Sequence, residues 1–471
     1  MLTTPMRPVT PLREELGEVG RLAAPLVVGQ LLAMLMNVAD TVLGGQHGPH
    51  TLAVIAVGSA VWSLVLIACL GLLFAIPPNV AQRDGAGRRD EIAPLLSQAL
   101  WIAWAIGLTL FLLLRSAGVL LDAMAVDATL RADTEAFLQA ASWGAPGLAT
   151  FFALRFFCEG LGYTRATLYF SAMGVLVLVP LGYGLIFGRF GFREHGAVGA
   201  GIALACTVWL QAVAMAAFVL RHPRFADLHL LRGFSRPRWT AIRDLLGLGL
   251  PIAIMILMEG SLFVVTALLI GSLGANTVAS HQIAINVASI TFMVPLGIGM
   301  ATTVRVGHAI GAGDAARARA AAQSGLLLAT AAQVVSATAL GLFAPRIAAL
   351  YTTDVVVGGL AAQLMLYAAI FQFSDGLQVV AASALRGLKD ARVPAFLTAV
   401  AYWGIGMTVG WYGAFRLDRG APGMWTGLIA GLTAAAVLLL ARLYLRLRNL
   451  PRDIVGLSAA NPENRLESLA H

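Results

Sequence analysis

Charged residues are scarce in this sequence. Only 12% of the 471 residues are Asp, Glu, Lys or Arg, whereas 59% are hydrophobic, and the mean hydropathy is +0.81. Soluble domains carry about 25% charged residues, so this chain lacks the polar surface that contact with water requires. The composition excludes an ordinary soluble protein and indicates that lipid surrounds most of the chain.

The sequence motifs of enzymes and metal sites are absent as well. The three cysteines, Cys69, Cys158 and Cys206, lie in or beside apolar runs without metal-ligand spacing, and we interpret them as packing residues. The sequence has no Walker A motif, which excludes direct use of ATP. The histidines show no ligand spacing either, and we interpret His281 as a helix-packing or loop-facing residue. We therefore expect neither enzymatic activity nor a cofactor.

Long apolar runs fill the rest of the chain. A transmembrane helix needs about 20 mainly apolar residues, and backbone polar groups in hydrocarbon must be paired within a helix. The sequence therefore predicts an all-α polytopic membrane protein with twelve transmembrane helices. The predicted spans are 22–45, 51–76, 95–118, 135–155, 164–188, 196–220, 247–272, 277–302, 322–345, 359–382, 393–415 and 422–446.

Basic residues lie mostly on one side of these spans. Both termini and every second loop together hold 25 of the 32 Lys and Arg residues, and the other side holds 7. The basic side is expected to be cytoplasmic, so both termini are predicted to face the cytoplasm. The six arginines from Arg221 to Arg243 follow the same rule, so we expect no nucleic-acid partner.

The two halves of the chain repeat each other. With a shift of 226 residues, Pro25 aligns with Pro251 without a gap, and Gly85-Ala86-Gly87 aligns with Gly311-Ala312-Gly313. Six spans per repeat is an even number, so both halves have the same orientation in the membrane. The predicted parts are an N-terminus at 1–20, an N-lobe at 21–220, a linker at 221–245, a C-lobe at 246–447 and a tail at 448–471.

Three acidic residues lie well inside apolar runs: Asp40, Glu259 and Asp375. A charge at the middle of a bilayer costs at least about 2.5–3.5 kcal/mol and usually marks a functional pathway. The alternative is a structural ion pair, but no basic residue lies deep in any predicted span. A carboxyl group in such a place can bind a proton, a metal cation or a cationic substrate. Glu159 differs, because its position next to Arg155 and Arg165 at a helix end predicts a salt-bridge or interface residue.

Polar and aromatic side chains accompany these acids at helical spacing. They either line a cavity or form hydrogen bonds between helices. The candidates for lining a substrate cavity are Asn37 on the first span, Gln282, Asn286, Ser289 and Met293 on the eighth, and Phe371 and Gln378 on the tenth. Aromatic and Met side chains would offer a cationic ligand adaptable apolar contact.

Several stretches resemble the multidrug and toxic compound extrusion (MATE) family in its bacterial NorM-type branch. The likeness covers residues from about 20 to 450. The stretches are Asp40-Thr41-Val42, Glu259-Gly260, Ala279-Ser280-His281-Gln282-Ile283-Ala284, Arg305-Val306-Gly307-His308, Ser374-Asp375 and Ala384-Leu385-Arg386-Gly387-Leu388-Lys389-Asp390. The resemblance implies two lobes of six helices that face a central cavity. It also implies a protein of the bacterial inner membrane that exchanges H⁺ or Na⁺ for organic cations.

The resemblance also implies roles for the three acids. Asp40 would be the acid of the N-lobe, and Glu259 and Asp375 would form the cation pair of the C-lobe, which would ligate Na⁺ in a sodium-coupled protein. Family members often carry two Asn on the fifth helix, whereas the stretch 177–182 reads Val-Leu-Val-Pro-Leu-Gly here. This departure disfavours a metal site in the N-lobe.

The leading hypothesis is a secondary antiporter that works by alternating access. Its expected partners are small organic cations, one monovalent coupling ion and membrane lipid, and the protein is expected to be a monomer. A lipid-precursor flippase or a metabolite exporter of a related fold is the alternative, and a flippase should show a strongly basic cavity. A receptor or anchor without transport activity is a third possibility, which the buried acids and the internal repeat disfavour.

Overall fold

The computed structural model describes residues 12–123, 127–230 and 233–459. Every regular element in these ranges is a helix, which confirms the prediction of an all-α chain for this part of the protein. Of the predicted N-terminus and tail, residues 1–11 and 460–471 lie outside the described residues.

The first half of the chain consists of long helices joined by short turns. Two short 3₁₀ segments, Arg89–Glu91 and Pro223–Leu228, accompany them. The α-helices are α1 (Leu12–His47), α2 (Pro49–Leu73), α3 (Ile76–Gly85), α4 (Ile92–Arg115), α5 (Ala117–Ala123), α6 (Ala128–Ser142), α7 (Gly144–Gly160), α8 (Arg165–Phe187) and α9 (Gly196–Arg221).

The second half contains the longest helices. Two π-helical segments, Val400–Met407 and Tyr412–Arg416, interrupt it late in the chain. The α-helices are α10 (Trp239–Gly271), α11 (Ala275–Gly311), α12 (Ala315–Tyr351), α13 (Val355–Gly387), α14 (Arg392–Ala399), α15 (Thr408–Trp411) and α16 (Gly420–Ala459).

Ten helices in the described ranges are long and apolar enough to cross a membrane. They coincide with ten of the twelve predicted spans. The predicted span at 51–76 falls on α2, and the one at 135–155 falls on α6 and α7, which have 15 and 17 residues and are divided at Trp143. The Trp143 carbonyl accepts a hydrogen bond from the Trp209 side chain at the break (2.7 Å). The number of twelve transmembrane helices stays a prediction.

The chain divides into two compact units. The first unit comprises Pro25–Val80 and Arg88–Ile256, and the second comprises Met1–Ala24, Ala81–Gly87 and Leu257–His471. Both α1 and α10 are therefore divided between the two units. The lobe boundaries drawn from the sequence remain a prediction.

The core of the second unit contains the fully buried rings of Tyr402 and Trp425. Beside them, the segment from 400 to 416 packs against α16 through glycines on both sides. A Cβ atom on Gly427 would lie 2.3 Å from the Cα atom of Gly410, so no side chain fits there. Small residues of this kind let two helices approach each other backbone to backbone.

The core of the first unit is rich in phenylalanine. Phe156 and Phe157 on α7 are fully buried, and the ring of Phe152 stacks on that of Phe156 with a centroid distance of 5.7 Å. Across the neighbouring helices, the Gln211 side chain of α9 donates a hydrogen bond to the Phe170 carbonyl of α8 (2.8 Å). A polar side chain within the membrane thus satisfies a backbone carbonyl of the neighbouring helix.

Candidate functional site

Glu259 and Asp375 are brought together in the second unit by a shared hydrogen-bond donor. The Nε2 atom of Gln378 donates to Glu259 Oε1 (2.8 Å) and to Asp375 Oδ1 (3.2 Å). Asp375 and Gln378 are 3% and 2% exposed on α13, and Glu259 is half-buried on α10. The structure therefore unites three of the residues that the sequence singled out. We call Glu259 and Asp375 the acid pair.

Tyr402 fixes the orientation of the bridging amide. Its hydroxyl donates a hydrogen bond to Gln378 Oε1 (2.9 Å), which leaves the Nε2 atom facing the carboxylates. Tyr402 is fully buried in the first π-helical segment. Sequence reasoning missed this residue, because a tyrosine in an apolar span carries only the general signal that its hydroxyl needs a partner.

A buried arginine acts on Glu259, and the sequence analysis did not foresee it. Arg386 is 6% exposed, and its guanidinium attracts Glu259 electrostatically. The sequence analysis found no basic residue deep in a span because it ended the tenth span at residue 382, whereas α13 continues to Gly387. The statement therefore holds for the span as predicted but not for the longer helix, which carries a buried arginine.

Phe371 lies one turn before Asp375 but is buried among other rings. Its ring centroid is 5.9 Å from that of Trp425 and 6.3 Å from that of Phe263, and both pairs are edge-on. The Trp425 indole donates a hydrogen bond to His281 Nδ1 (3.2 Å), in keeping with the prediction of a packing role for that histidine. In this structure Phe371 is a packing residue beside the acid pair.

The predicted polar stripe on α11 makes contacts of its own. Asn286 Oδ1 accepts a hydrogen bond from the Tyr351 hydroxyl (3.0 Å), and the Ser289 hydroxyl donates to the Ile285 carbonyl (2.8 Å). Gln282 is exposed and Met293 is half-buried. None of the hydrogen bonds found among the described residues joins this stripe to the acid pair, so its role in a cavity stays a prediction.

Asp40 lies on α1 in the first unit and is half-buried. Its Oδ1 atom is buried and has no hydrogen-bond partner within the described part of the chain. Asn37 is exposed, and the contact it makes is through its backbone carbonyl, which accepts a hydrogen bond from the Thr41 hydroxyl (2.9 Å). A buried carboxylate oxygen without a partner can be protonated or can accept a hydrogen bond from a ligand.

Glu159 belongs to a closed network in the first unit, which confirms its predicted salt bridge. The Arg155 guanidinium donates to Glu159 Oε1 (2.8 Å) and to Gln30 Oε1 (2.7 Å). The Thr167 hydroxyl donates to the same Glu159 oxygen (2.7 Å). The network links α1, α7 and α8, so its polar groups are satisfied by one another and serve packing.

The stretch 177–182 of α8 offers no side-chain oxygen. Leu178 and Gly182 stand at the two positions where the resemblance expects Asn, and both are buried. Leu178 packs with Leu185 and Ala203 in a small apolar cluster. Over the described ranges, no group of three or more His, Cys, Asp or Glu side chains is placed to hold a metal ion.

Comparisons with known proteins agree with one another. The family profile described as MatE matches residues 25–184 and 251–412, and the two matches begin 226 residues apart, the offset of the internal repeat. A "Probable multidrug resistance protein NorM" of Xanthomonas campestris pv. campestris is 47% identical over 425 residues, which cover 90% of this chain and 93% of that protein.

Two further similarities extend this result. The "Multidrug resistance protein PmpM" of Pseudomonas aeruginosa is 40% identical over 437 residues, which cover 92% of each chain. A solved structure described as "Crystal structure of MATE in the bent conformation" superimposes with a TM-score of 0.86 over 96% of this chain and 100% of that one, at 21% identity. At this identity the structural likeness establishes the fold alone.

Proposed function

Since the chain belongs to the MATE family, as a bacterial NorM-type transporter, we propose that it exports organic cations in exchange for protons. It is a transporter rather than an enzyme, and its curated relatives carry the names of multidrug resistance proteins. The single observation that carries the proposed coupling ion is the Gln378 amide, which holds Glu259 and Asp375 around one donor nitrogen.

The acid pair supplies the negative charge that exchange requires. Two ionised carboxylates within 3.2 Å of the same nitrogen repel each other, because little water screens them. The pair is therefore expected to hold one positive charge, either a shared proton or a cation, and to titrate as a coupled unit. A drug cation and a proton compete for that charge, and this competition couples export of one to entry of the other.

The orientation of the bridging amide favours a proton over Na⁺. A sodium ion needs several oxygen ligands, whereas a proton needs one carboxylate. Gln378 presents an N–H group to the carboxylates, and its oxygen already accepts the Tyr402 hydroxyl. An N–H group cannot ligate a cation. Sodium coupling would thus require the amide to turn over and Tyr402 to lose its partner.

The proposal extends to orientation and energetics. Both termini are placed in the cytoplasm, because 25 of the 32 basic residues lie on that side. Exchange of one proton for one monovalent drug by alternating access moves no net charge. A gradient of one pH unit is then worth about 1.4 kcal/mol, or about tenfold drug accumulation.

Transport into vesicles tests the proposal. The purified protein is reconstituted into liposomes, and accumulation of a fluorescent organic cation such as ethidium is followed under an imposed pH gradient or an imposed Na⁺ gradient. We expect the pH gradient to drive accumulation and the Na⁺ gradient at constant pH to have no effect. Accumulation driven by Na⁺ alone would contradict proton coupling, and no accumulation under either gradient would contradict antiport of this cation.

A further inference from the structure

The segment 233–238 between α9 and α10 has no regular secondary structure and lies against α4. Gln98 of α4 holds it at two backbone groups, because its Nε2 atom donates to the Arg236 carbonyl (3.0 Å) and its Oε1 atom accepts from the Arg238 amide (2.7 Å). The Trp101 indole donates to the Ser235 carbonyl (3.1 Å). We call this segment the strap.

The strap contacts α4 near the start of the apolar part of that helix. Ser97, which accepts a hydrogen bond from the Ser235 amide (3.2 Å), and Gln98 are five and six residues beyond the start of α4 at Ile92. At 1.5 Å per residue this is about 8–9 Å along the helix. If the membrane span of α4 begins at residue 95 as predicted, the strap lies near the depth where lipid headgroups meet hydrocarbon.

The aromatic side chains around the strap suit that depth. Phe234 is exposed, and its ring centroid is 6.0 Å from that of Trp101 and 6.2 Å from that of Trp104. Trp239, the first residue of α10, is 71% exposed. Exposed tryptophan and phenylalanine are costly in water, whereas aromatic side chains are enriched at the membrane interface.

Two arginines of the strap indicate which kind of molecule this surface could bind. Arg236 and Arg238 are exposed on either side of Pro237, beside Trp239. The nearby Asp227 does not neutralise them, because it is paired with Arg89. Guanidinium groups bind phosphate oxygens with two parallel hydrogen bonds. The surface therefore combines phosphate-binding groups with aromatic rings at the depth of the headgroups.

We propose that the strap and the first turn of α10 bind one anionic phospholipid of the cytoplasmic leaflet, phosphatidylglycerol in a bacterium. Arg236 and Arg238 bind the phosphate, and Phe234 and Trp239 lie beside the glycerol and the upper acyl chains. The net negative charge of the lipid is required, because two arginines meet one phosphate. In a zwitterionic lipid, the ammonium group would stand close to the guanidinium groups and weaken binding.

Binding at this place acts on a helix that carries the proposed coupling site. Trp239 and Glu259 belong to the same continuous helix, α10. A lipid bound at its first turn holds the helix at a fixed depth. Gln98 holds the backbone of both arginines, while Ser97 and Trp101 hold the backbone of Ser235 just before them.

Native mass spectrometry of the full-length protein tests the lipid site. The delipidated protein is titrated with phosphatidylglycerol, with phosphatidylethanolamine and with inorganic phosphate. We expect phosphatidylglycerol to bind roughly ten- to thirty-fold more tightly than phosphatidylethanolamine, because two arginines face the phosphate. Equal binding of the two lipids overturns the proposal. Displacement of the lipid by inorganic phosphate at equal concentration overturns the assignment to a lipid.

Variants assign the binding to the strap. R236Q/R238Q should lose the preference for phosphatidylglycerol, whereas R189Q/R346Q, which removes two exposed arginines from the opposite predicted side, should keep it. Gln98→Leu keeps both arginines but removes the hydrogen bonds to the backbone of Arg236 and Arg238, and it should also lower the preference. Equal loss in the control pair, or full retention in R236Q/R238Q, contradicts the proposal. Unchanged preference in Gln98→Leu contradicts the role of the strap.

Discussion

Glu15 and Arg305 form a buried ion pair although they are 290 residues apart in the chain. The Arg305 guanidinium donates to both Glu15 carboxylate oxygens (3.1 and 2.5 Å), and Arg317 donates to one of them (2.9 Å). Glu15 is 1% exposed. The pair binds the first turn of α1 to α11 and α12, so this end of α1 belongs to the second unit.

Replacement of Glu15 is expected to destabilise the protein. Glu15→Gln removes the buried counter-charge of Arg305 and leaves it only Glu18, which is half-buried and 4.0 Å away. Loss of one partner from such a buried pair costs about 3 kcal/mol. Thermal unfolding in detergent should show a clearly lower melting temperature. Glu14→Gln is the matched control, because Glu14 is exposed on the same helical turn. A similar loss in both variants would contradict a specific role for the buried pair.

The acid pair is expected to be essential for coupled transport. Glu259→Gln and Asp375→Asn each remove one of the two charges that bind the proton or the drug, so each should lower pH-driven ethidium accumulation by about tenfold or more. Expression and melting temperature should stay close to those of the unmodified protein. Asp354→Asn on the same helix α13 serves as control, because Asp354 is exposed and caps the helix. Near-normal accumulation in either acid variant removes that residue from the mechanism.

Tyr402 is expected to determine which ion the acid pair accepts. Tyr402→Phe removes the hydroxyl that holds Gln378 Oε1, so the amide can turn its oxygen toward the carboxylates. We expect a slower response to a pH gradient and a new response to a Na⁺ gradient, measured as ethidium accumulation in liposomes. Tyr444→Phe, at an exposed tyrosine of α16, should change neither. If Tyr402→Phe keeps the original ion response and rate, the hydroxyl does not position the amide for transport.

If Asp40 titrates during transport, it is expected to bind a proton rather than Na⁺. Asp40→Asn mimics the protonated acid and keeps its hydrogen-bonding groups. The variant should still bind drug, measured by fluorescence polarisation, but lose accumulation driven by a pH gradient. If Asp40 serves only to pack helices, the variant will transport normally. Na⁺ binding that disappears in Asp40→Asn would also contradict the proton hypothesis.

The sequence predicted the features that depend on local composition. Hydropathy located ten spans correctly, and the scarcity of charge in those spans drew attention to Glu259 and Asp375. Gln378 could be predicted because it follows Asp375 by three residues and shares its helical face. The break between α6 and α7 was missed, although Gly144 and Pro146 follow directly after Trp143 and proline lacks the backbone N–H that a continuous helix needs.

Contacts between distant segments could not be predicted. Glu15 and Arg305 each look like ordinary charges at the end of a span, and only the folded chain brings them together. Tyr402 lies in a π-helical segment, where hydrogen bonds run to the fifth residue. The partner of its hydroxyl, Gln378, is 24 residues away in the chain, and no local pattern links the two. Arg386 was missed because the end of α13 was set five residues too early.

The glycine contact between α16 and the segment from 400 to 416 has a mechanical consequence. A helix–helix contact made by side chains can adjust when exposed side chains change rotamer, which takes picoseconds to nanoseconds. Where Gly427 contacts Gly410, both residues contribute only backbone atoms. No change of side-chain rotamer can therefore absorb a relative movement at this contact. A displacement of α16 is therefore expected to displace the segment from 400 to 416 with it. Tyr402 belongs to the same segment, so a tilt of α16 is expected to displace its hydroxyl, which holds the Gln378 amide between the two acids.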